Sequence, residues 1–323
     1  MAARHLGIEH VTVVVPTFRR ERGLARLLEG LARQEGPGVG WDVVVVDNDD
    51  PPGAEGVFAA HADRLPVPAR LVREPARGAS NARNRGIAEA SGDVVAFIDD
   101  DVDPRPDWLR LLLVPLREGR AEGVGGRVLL DPSIPRPRWF NESVLGHYLA
   151  MLDLGEHETD IEPDRYVLTA SAAFRTDLLR RIGGMDPALG PQDGRPLFND
   201  DVLLCRRFMA TGSRLRYVPD AIVTHDAPPA RLRRGYILRR MYAQGRSDWV
   251  MDRRILTAHR LGGAVRQLLW LVDRMRKRVD EGALRRWTMY QAAYDLAYTA
   301  GFLRETAASL GRRPAAVGRD GVR

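Results

Sequence analysis

The amino-acid sequence predicts an α/β fold: a Rossmann-like, mostly parallel central sheet flanked by helices, with a C-terminal α-helical extension. Three observations lead there. Apolar runs of strand length at 11–15, 41–46 and 94–98 alternate with stretches of helical periodicity, and their dense Val and Ile content suits strands covered on both faces. Two of these runs end in carboxylates, Asp47 and the triplet Asp99-Asp100-Asp101, at the strand ends where open α/β sheets collect ligands. Beyond residue 230 the strand signals stop and apolar residues recur at helical spacing.

The elements follow in order. A strand over 11–15 leads through Pro16-Thr17-Phe18 into a helix over 21–34. A second strand, 41–46, closes at Asp47-Asn48-Asp49-Asp50, after which Pro51-Pro52-Gly53 imposes a loop. A weaker strand lies near 70–73, a helix with Gly86 inside it spans 79–90, and the fourth strand spans 94–98. A helix over 108–116, a strand over 125–130, a Pro-rich stretch and an illegible segment over 139–165 come next. The pattern then predicts a strand over 167–174, a helix over 175–182, a mobile Gly/Pro loop over 189–196 and a helix over 200–211. Two short strands, 214–218 and 221–225, are split by Pro219-Asp220. Helices are expected over 231–250, 256–279 and 282–310. The domain plan is therefore a catalytic-looking domain over 1–230, a basic helical region over 231–310 and a disordered tail over 311–323.

Charge divides along the same line. Residues 231–323 hold 21 basic against 8 acidic residues, whereas 1–230 hold 28 against 35. A basic tail behind an acidic domain suits phosphates or an anionic membrane surface. The single cysteine, Cys205, excludes a disulfide framework and a multi-cysteine zinc site. The first apolar run has strand rather than leader length, and none approaches the roughly 20 residues of a membrane span. A cytoplasmic protein is expected, with peripheral contact at the inner face of a membrane as an option for the basic region.

Three consecutive carboxylates repel one another, and hard oxygen ligands at a strand end suit Mg²⁺ or Mn²⁺, above all beside substrate phosphates. The structural alternative is an acidic turn capping the next helix. Arg83, on a helix opened by Gly78, suits a diphosphate through its own charge and the helix amides; as a solvated helix residue it would mean nothing. Asp200-Asp201 can cap a helix or supply a general base behind a closing loop. His225 at a strand end is a metal ligand, a phosphate contact or a structural histidine.

Taken in order, several segments resemble family 2 of the inverting glycosyltransferases, which carry the GT-A fold. They are Val13-Val14-Val15-Pro16-Thr17, Val45-Val46-Asp47-Asn48, Ala82-Arg83-Asn84-Arg85-Gly86, Phe97-Ile98-Asp99-Asp100-Asp101, Gly183-Gly184-Met185-Asp186, Asp200-Asp201, and the run from Val218 to His225. The resemblance covers residues 10–226 and implies a nucleotide-diphosphate sugar as donor and a hydroxyl acceptor on a glycan, a lipid-linked sugar or a small molecule. It implies that Pro16, Thr17 and Asp47 meet the nucleotide base and that Arg83 lies near the nucleotide. Asp99 and Asp101 match the DxD carboxylates, Asp101 holding Mn²⁺ or Mg²⁺ and Asp99 touching ribose or metal, with Asp100 in support. Asp201 matches the general base, His225 a histidine that sometimes ligates metal. Asp200 stands where the family usually has Glu, and Leu203 where a further acid is common.

Competing readings are a phosphatase or phosphotransferase, a sugar nucleotidyltransferase, and a non-enzymatic adaptor working through the basic tail. The first two would add a lysine near the acids, but the chain's one lysine is Lys277. Nucleic acid is not an expected partner. Aromatic residues among the last helices suit packing on a neighbour, a second subunit or a bilayer interface.

Overall fold

The computed structural model describes residues 7–192, 195–255 and 286–310. Strand β1 (His10–Thr17) is buried along almost its whole length because it has a neighbour on each edge and helices on each face. It pairs in parallel with β2 (Gly40–Asp47), with Thr17 beside Asp47, and with β4 (Val94–Ile98), while β3 (Ala69–Arg73) extends the parallel sheet beyond β2. β1, β2 and β4 account for the three Val-rich apolar runs. Helices α1 (Glu21–Ala32), α2 (Glu55–Ala62) and α3 (Ala79–Glu89) connect them.

The second half of the sheet is mixed. After β4 come the short β5 (Val102–Pro104), β6 (Gly123–Leu130), β7 (Thr159–Asp160), β8 (Ser171–Arg175) and β11 (Leu215–His225), in the spatial order β3-β2-β1-β4-β8-β6-β11-β5 with β7 on β11. The pair β9 (Pro191–Gln192) and β10 (Arg195–Pro196) forms a separate ribbon inside the predicted mobile loop. Strand β8 runs antiparallel to β4 with Ser171 opposite Ile98, so the residues just before β8 arrive at the acidic end of β4. Trp108, wholly buried, donates from its indole nitrogen to Ser171 Oγ at 2.9 Å and anchors that strand start.

Strand β11 is one strand rather than two. Its register against β6 shifts between Val218 and Ile222, so Pro219-Asp220 forms an irregularity within it. Its far end pairs with β5, His225 beside Val102, and the amide of Asp226 donates to the carbonyl of Asp101 at 2.9 Å. The predicted strand over 167–174 begins only at Ser171, and the predicted helix over 108–116 is two short helices, α4 (Trp108–Leu112) and α5 (Val114–Arg117). Between β6 and β8 lies α6 (Glu142–Leu145); α7 (Thr176–Arg181) follows β8, and α8 (Asp200–Met209) precedes β11. Gly86, which costs α3 helical propensity, lies where a Cβ would overlap the side chain of Val14, so α3 rests directly on β1.

The chain separates into two compact units, Met1–Arg233 and Arg234–Arg323. In the second, α9 (Arg234–Ile255) packs on α10 (Arg286–Leu310). Gly245 faces the carbonyl of Tyr298, and Gly301 faces that of Tyr242; a Cβ at either would overlap the opposite backbone. Arg246 Nε donates to Glu305 at 2.7 Å across this pair. The predicted helix over 256–279 and the tail over 311–323 lie outside the described residues. Among the described residues no helix is long and apolar enough to cross a membrane.

Candidate active site

The C-terminal ends of β1 and β4, the start of β8 and the end of β11 converge on the acid triplet. Thr17 Oγ1 donates to Asp100 Oδ2 at 2.8 Å, with both residues buried. Arg20, at the entry to α1, donates to Asp100 Oδ1 at 3.1 Å and also to Asp101. His225 Nε2 lies 3.1 Å from Asp101 Oδ2, and Arg231 Nη1 stands 3.9 Å from the same oxygen. Burial works against the Asp101 charge, but His225, Arg20 and Arg231 outweigh it and hold its carboxyl well below the usual range. Asp100 goes the other way. Burial, aided by the neighbouring Asp101 and Asp99, pushes it up to about 7 despite Arg20 and Thr17.

A second acidic group meets the first through Arg83. This buried guanidinium donates to Asp99 Oδ1 at 2.6 Å and to Asp200 Oδ2 at 3.2 Å. Burial opposes its charge as well, yet Asp99, Asp200 and Asp201 raise its pKa above the ordinary arginine value. Asp201 Oδ1 accepts two bonds from Thr169, one from Oγ1 at 2.6 Å and one from the amide at 3.2 Å. Burial and the adjacent Asp200 carboxylate push Asp201 up to about 7, outweighing Arg83 and the Thr169 hydroxyl. Burial likewise raises Asp200, against the pull of Arg83.

The base-binding expectations fall on the opposite side of the acid loop. Thr17 is committed to Asp100. Pro16 is a residue of β1 in register with Val46, and Asp47 is buried with its carboxylate accepting from the amides of Asp49, Gly53 and Ala54 at 2.9–3.0 Å. In this arrangement Asp47 shapes the loop after β2. The adjacent Asn48 ties that loop to the next: its side chain donates to the carbonyls of Glu74 and Ala76 and accepts from the Gly78 amide. Phe18 lies under two guanidinium groups, Arg19 at 4.9 Å and Arg77 at 5.2 Å from the ring centre.

Residues 12–183 match the family described as glycosyl transferase family 2. The chain belongs to that family. Among curated relatives, it is 33% identical over 225 residues to a pre-mycofactocin glycosyltransferase of Mycobacterium tuberculosis, a match covering 67% of this chain and 42% of the relative. It is 30% identical over 216 residues to a glucosyl-dolichyl phosphate glucuronosyltransferase of Haloferax volcanii, covering 64% of this chain and 67% of that one. The chain thus spans less than half the length of the mycobacterial relative. Among solved structures, the mannosyltransferase PcManGT from Pyrobaculum calidifontis, in complex with GDP-Man and Mn²⁺, aligns with a TM-score of 0.62 at 20% identity over 93% of this chain and 88% of that one. Residues 1–349 of TarS from S. aureus, in complex with UDP, align with a TM-score of 0.52 at 17% identity over 93% and 92%. These likenesses establish the GT-A fold.

Within this family member, the donor set for a divalent cation is testable on its own atoms. Asp101, Asp99 and His225 offer carboxylate oxygen and imidazole nitrogen, a set that suits Mg²⁺ or Mn²⁺. His225 is buried, and among the described residues its Nδ1 lacks a hydrogen-bond partner and its Nε2 is held by Asp101 alone. That fits a histidine able to turn toward a ligand. Among the described residues, however, no three acidic, His or Cys side chains already converge as a cage. Arg20 pairs with Asp101 through Oδ2 and Arg83 with Asp99 through Oδ1, so a cation on either of these oxygens would compete with a guanidinium.

Sequence reasoning missed Arg20, Arg231, Asn48 and Thr169. Arg20 stands three residues past Thr17, but Arg19 and Arg22 flank it, so the sequence does not show which of these cations reaches the acids. Thr169 was hidden by its placement inside an apolar stretch read as strand. Arg231 sits beyond the last motif, and nothing local marks it.

Proposed function

We propose that the chain is a metal-dependent inverting glycosyltransferase, moving a sugar from a nucleotide-diphosphate donor to an acceptor hydroxyl by single displacement. One observation carries this reading: Asp201, a half-buried carboxyl pushed up to about 7, stands next to Asp200, which the guanidinium of Arg83 links to Asp99 of the acid loop. A group titrating near neutrality is suited to take a proton from an alcohol as its oxygen attacks. Family membership and the GT-A fold support sugar transfer over the phosphotransferase and nucleotidyltransferase readings.

In this reading Asp201 is the general base and Asp200 holds Arg83 in place beside it. Pro16, Thr17, Asp47, Arg83, Asp99 and Asp100 line the donor side. Asp101, Asp99 and His225 would hold Mn²⁺ or Mg²⁺, which supplies charge neutralisation for the departing diphosphate. Arg20 and Arg231 add fixed positive charge beside Asp101, favouring the anionic leaving group whatever the metal. Attack from the face opposite the leaving group inverts the anomeric centre. The acceptor is a hydroxyl on a glycan, a lipid-linked sugar or a small molecule, and the basic excess of 231–323 favours a phosphate-bearing or membrane-surface acceptor.

The test is a donor screen on the full chain with UDP-, GDP- and dTDP-sugars, with and without Mn²⁺, followed by turnover of Asp201→Asn. An inactive variant that still binds donor supports the base assignment; full activity overturns it. If no donor binds and Asp101→Asn changes nothing, the transferase reading itself is overturned.

A further inference from the structure

The carboxylate assigned as general base does not serve its own helix. Asp201 stands in the first turn of α8, where an aspartate ordinarily turns back to accept from the helix amides. Here those amides act on Asp200, while the hydrogen bonds that reach Asp201 come from Thr169, 32 positions earlier in the chain. Both Thr169 donors go to the same oxygen. Oδ1 receives the hydroxyl at 2.6 Å and the amide at 3.2 Å, and among the described residues nothing donates to Oδ2. Two donors converging on one oxygen fix the plane of the carboxylate as well as its position.

The fold explains why this residue is available. Ser171 pairs with Ile98, so two positions further along the antiparallel register Thr169 stands beside the acid loop. The strand start is pinned by Trp108 on Ser171, and the amide of Ser171 closes a turn onto the carbonyl of Leu168 at 3.0 Å. Thr169 is itself only 1% exposed, so its hydroxyl has no water to exchange with and is dedicated to Asp201.

From this geometry we propose that Thr169 is the positioning residue of the catalytic base, locking Oδ1 of Asp201 so that Oδ2 faces the acceptor hydroxyl. The proposal rests on the reading of Asp201 as general base and deepens it. The charged and titratable groups around this carboxylate are Asp200 on its own helix, Arg83 on α3, Asp99 at the end of β4 and the buried thiol of Cys205 one turn along α8.

The experiment compares Thr169→Val, which keeps the shape and amide but loses the hydroxyl, with Thr169→Ser, which keeps the hydroxyl. In the full chain labelled with [¹³Cγ]aspartate, the Asp201 resonance, identified by its loss in Asp201→Asn, is titrated by NMR. Thr169→Val is expected to raise the Asp201 pKa by about one unit, since a donor to the charged form is lost, and Thr169→Ser to leave it in place. With a donor sugar found in the screen above, Thr169→Val should lower kcat by about 10- to 100-fold at unchanged donor KM, and Thr169→Ser should restore it. An unmoved titration in Thr169→Val, or a Thr169→Ser variant shifted as far as Thr169→Val, overturns the proposal. Full turnover by Asp201→Asn overturns the base assignment instead, whatever the NMR comparison reads.

Discussion

Arg83 donates to Asp200 at 3.2 Å across 117 positions of sequence, joining the helix after β3 to the helix before the last strand. Its other terminal nitrogen holds Asp99 at 2.6 Å, so one buried cation sets the spacing between the acid loop and the base pair. Removing it leaves the buried Asp200 and the partly exposed Asp99 with no cation between them. Arg83→Gln is expected to cost about 3–5 kcal/mol in urea unfolding, the range for breaking a buried ion pair. Arg83→Lys should recover only part of that, because a single ammonium cannot present the planar fork that reaches both partners.

With Asp201 as the proposed general base, an acid limb is expected in the pH–rate profile. Burial and Asp200 push this carboxyl up to about 7, and a general base works only when deprotonated. Turnover should therefore fall about tenfold per pH unit below that region and level off above it. Asp200 and Asp99 are close, so the inflection belongs to the cluster as a whole. Asp200→Asn removes the nearest like charge and should move the limb to lower pH, read from kcat/KM between pH 5 and 9.

Stability should depend on pH in a direction opposite to the ordinary buried salt bridge. Asp100 and Asp201 are both raised to about 7 from an ordinary value of 3.8. Between those values the folded chain keeps protons that the unfolded chain has lost, so stability is greatest near the lower end and falls as pH rises toward 7. Asp101, held low, contributes in the opposite sense, and its stabilisation is lost only on acidification below the ordinary carboxylate range. Chemical unfolding at pH 5 and pH 7.5 should show the chain less stable at the higher pH without divalent cation. Asp100→Asn should flatten the difference.

Arg20 pairs with Asp101, the carboxylate proposed above to hold a divalent cation. In the absence of donor, Arg20→Ala should bind Mn²⁺ more tightly than the unaltered chain in calorimetry. Saturating Mn²⁺ at about 100 times its Kd should add about 2.7 kcal/mol to stability by mass action. Asp101→Asn should abolish that gain; an unchanged gain would remove Asp101 from the ligand set.

Gly86 tests the packing beneath the site. Alanine improves helix propensity by about 1 kcal/mol over glycine, so a surface position would gain stability. Here the added methyl meets Val14, and overpacking of that kind costs about 1–3 kcal/mol. Gly86→Ala should therefore be neutral to destabilising, and the double variant with Val14→Ala should show coupling between the two sites.

Much of the parallel half of the sheet was legible because it depends on local pattern. Continuous Val and Ile runs announce strands buried on both faces, and carboxylates at their ends mark the ligand side of the sheet. The ordered segments from Pro16 to His225 were enough to indicate the family, since each is short but their sequence order is improbable by accident. What failed locally also has physical reasons. Pro219-Asp220 reads as a break, yet neighbours on both edges carry β11 through it with a register shift. The apolar stretch over 167–170 reads as strand, yet the ladder begins at Ser171 and the amide of Thr169 donates to Asp201 instead.

By itself, then, the sequence determined the α/β class, the first parallel strands and the identity of the acids, all consequences of periodicity and residue chemistry along the chain. Tertiary structure alone decided which charges meet: Arg83 between Asp99 and Asp200, Arg20 and His225 on Asp101, Thr169 on Asp201. Such pairings join residues from 16 to 124 positions apart. They are set by strand order and register, and no local preference encodes them.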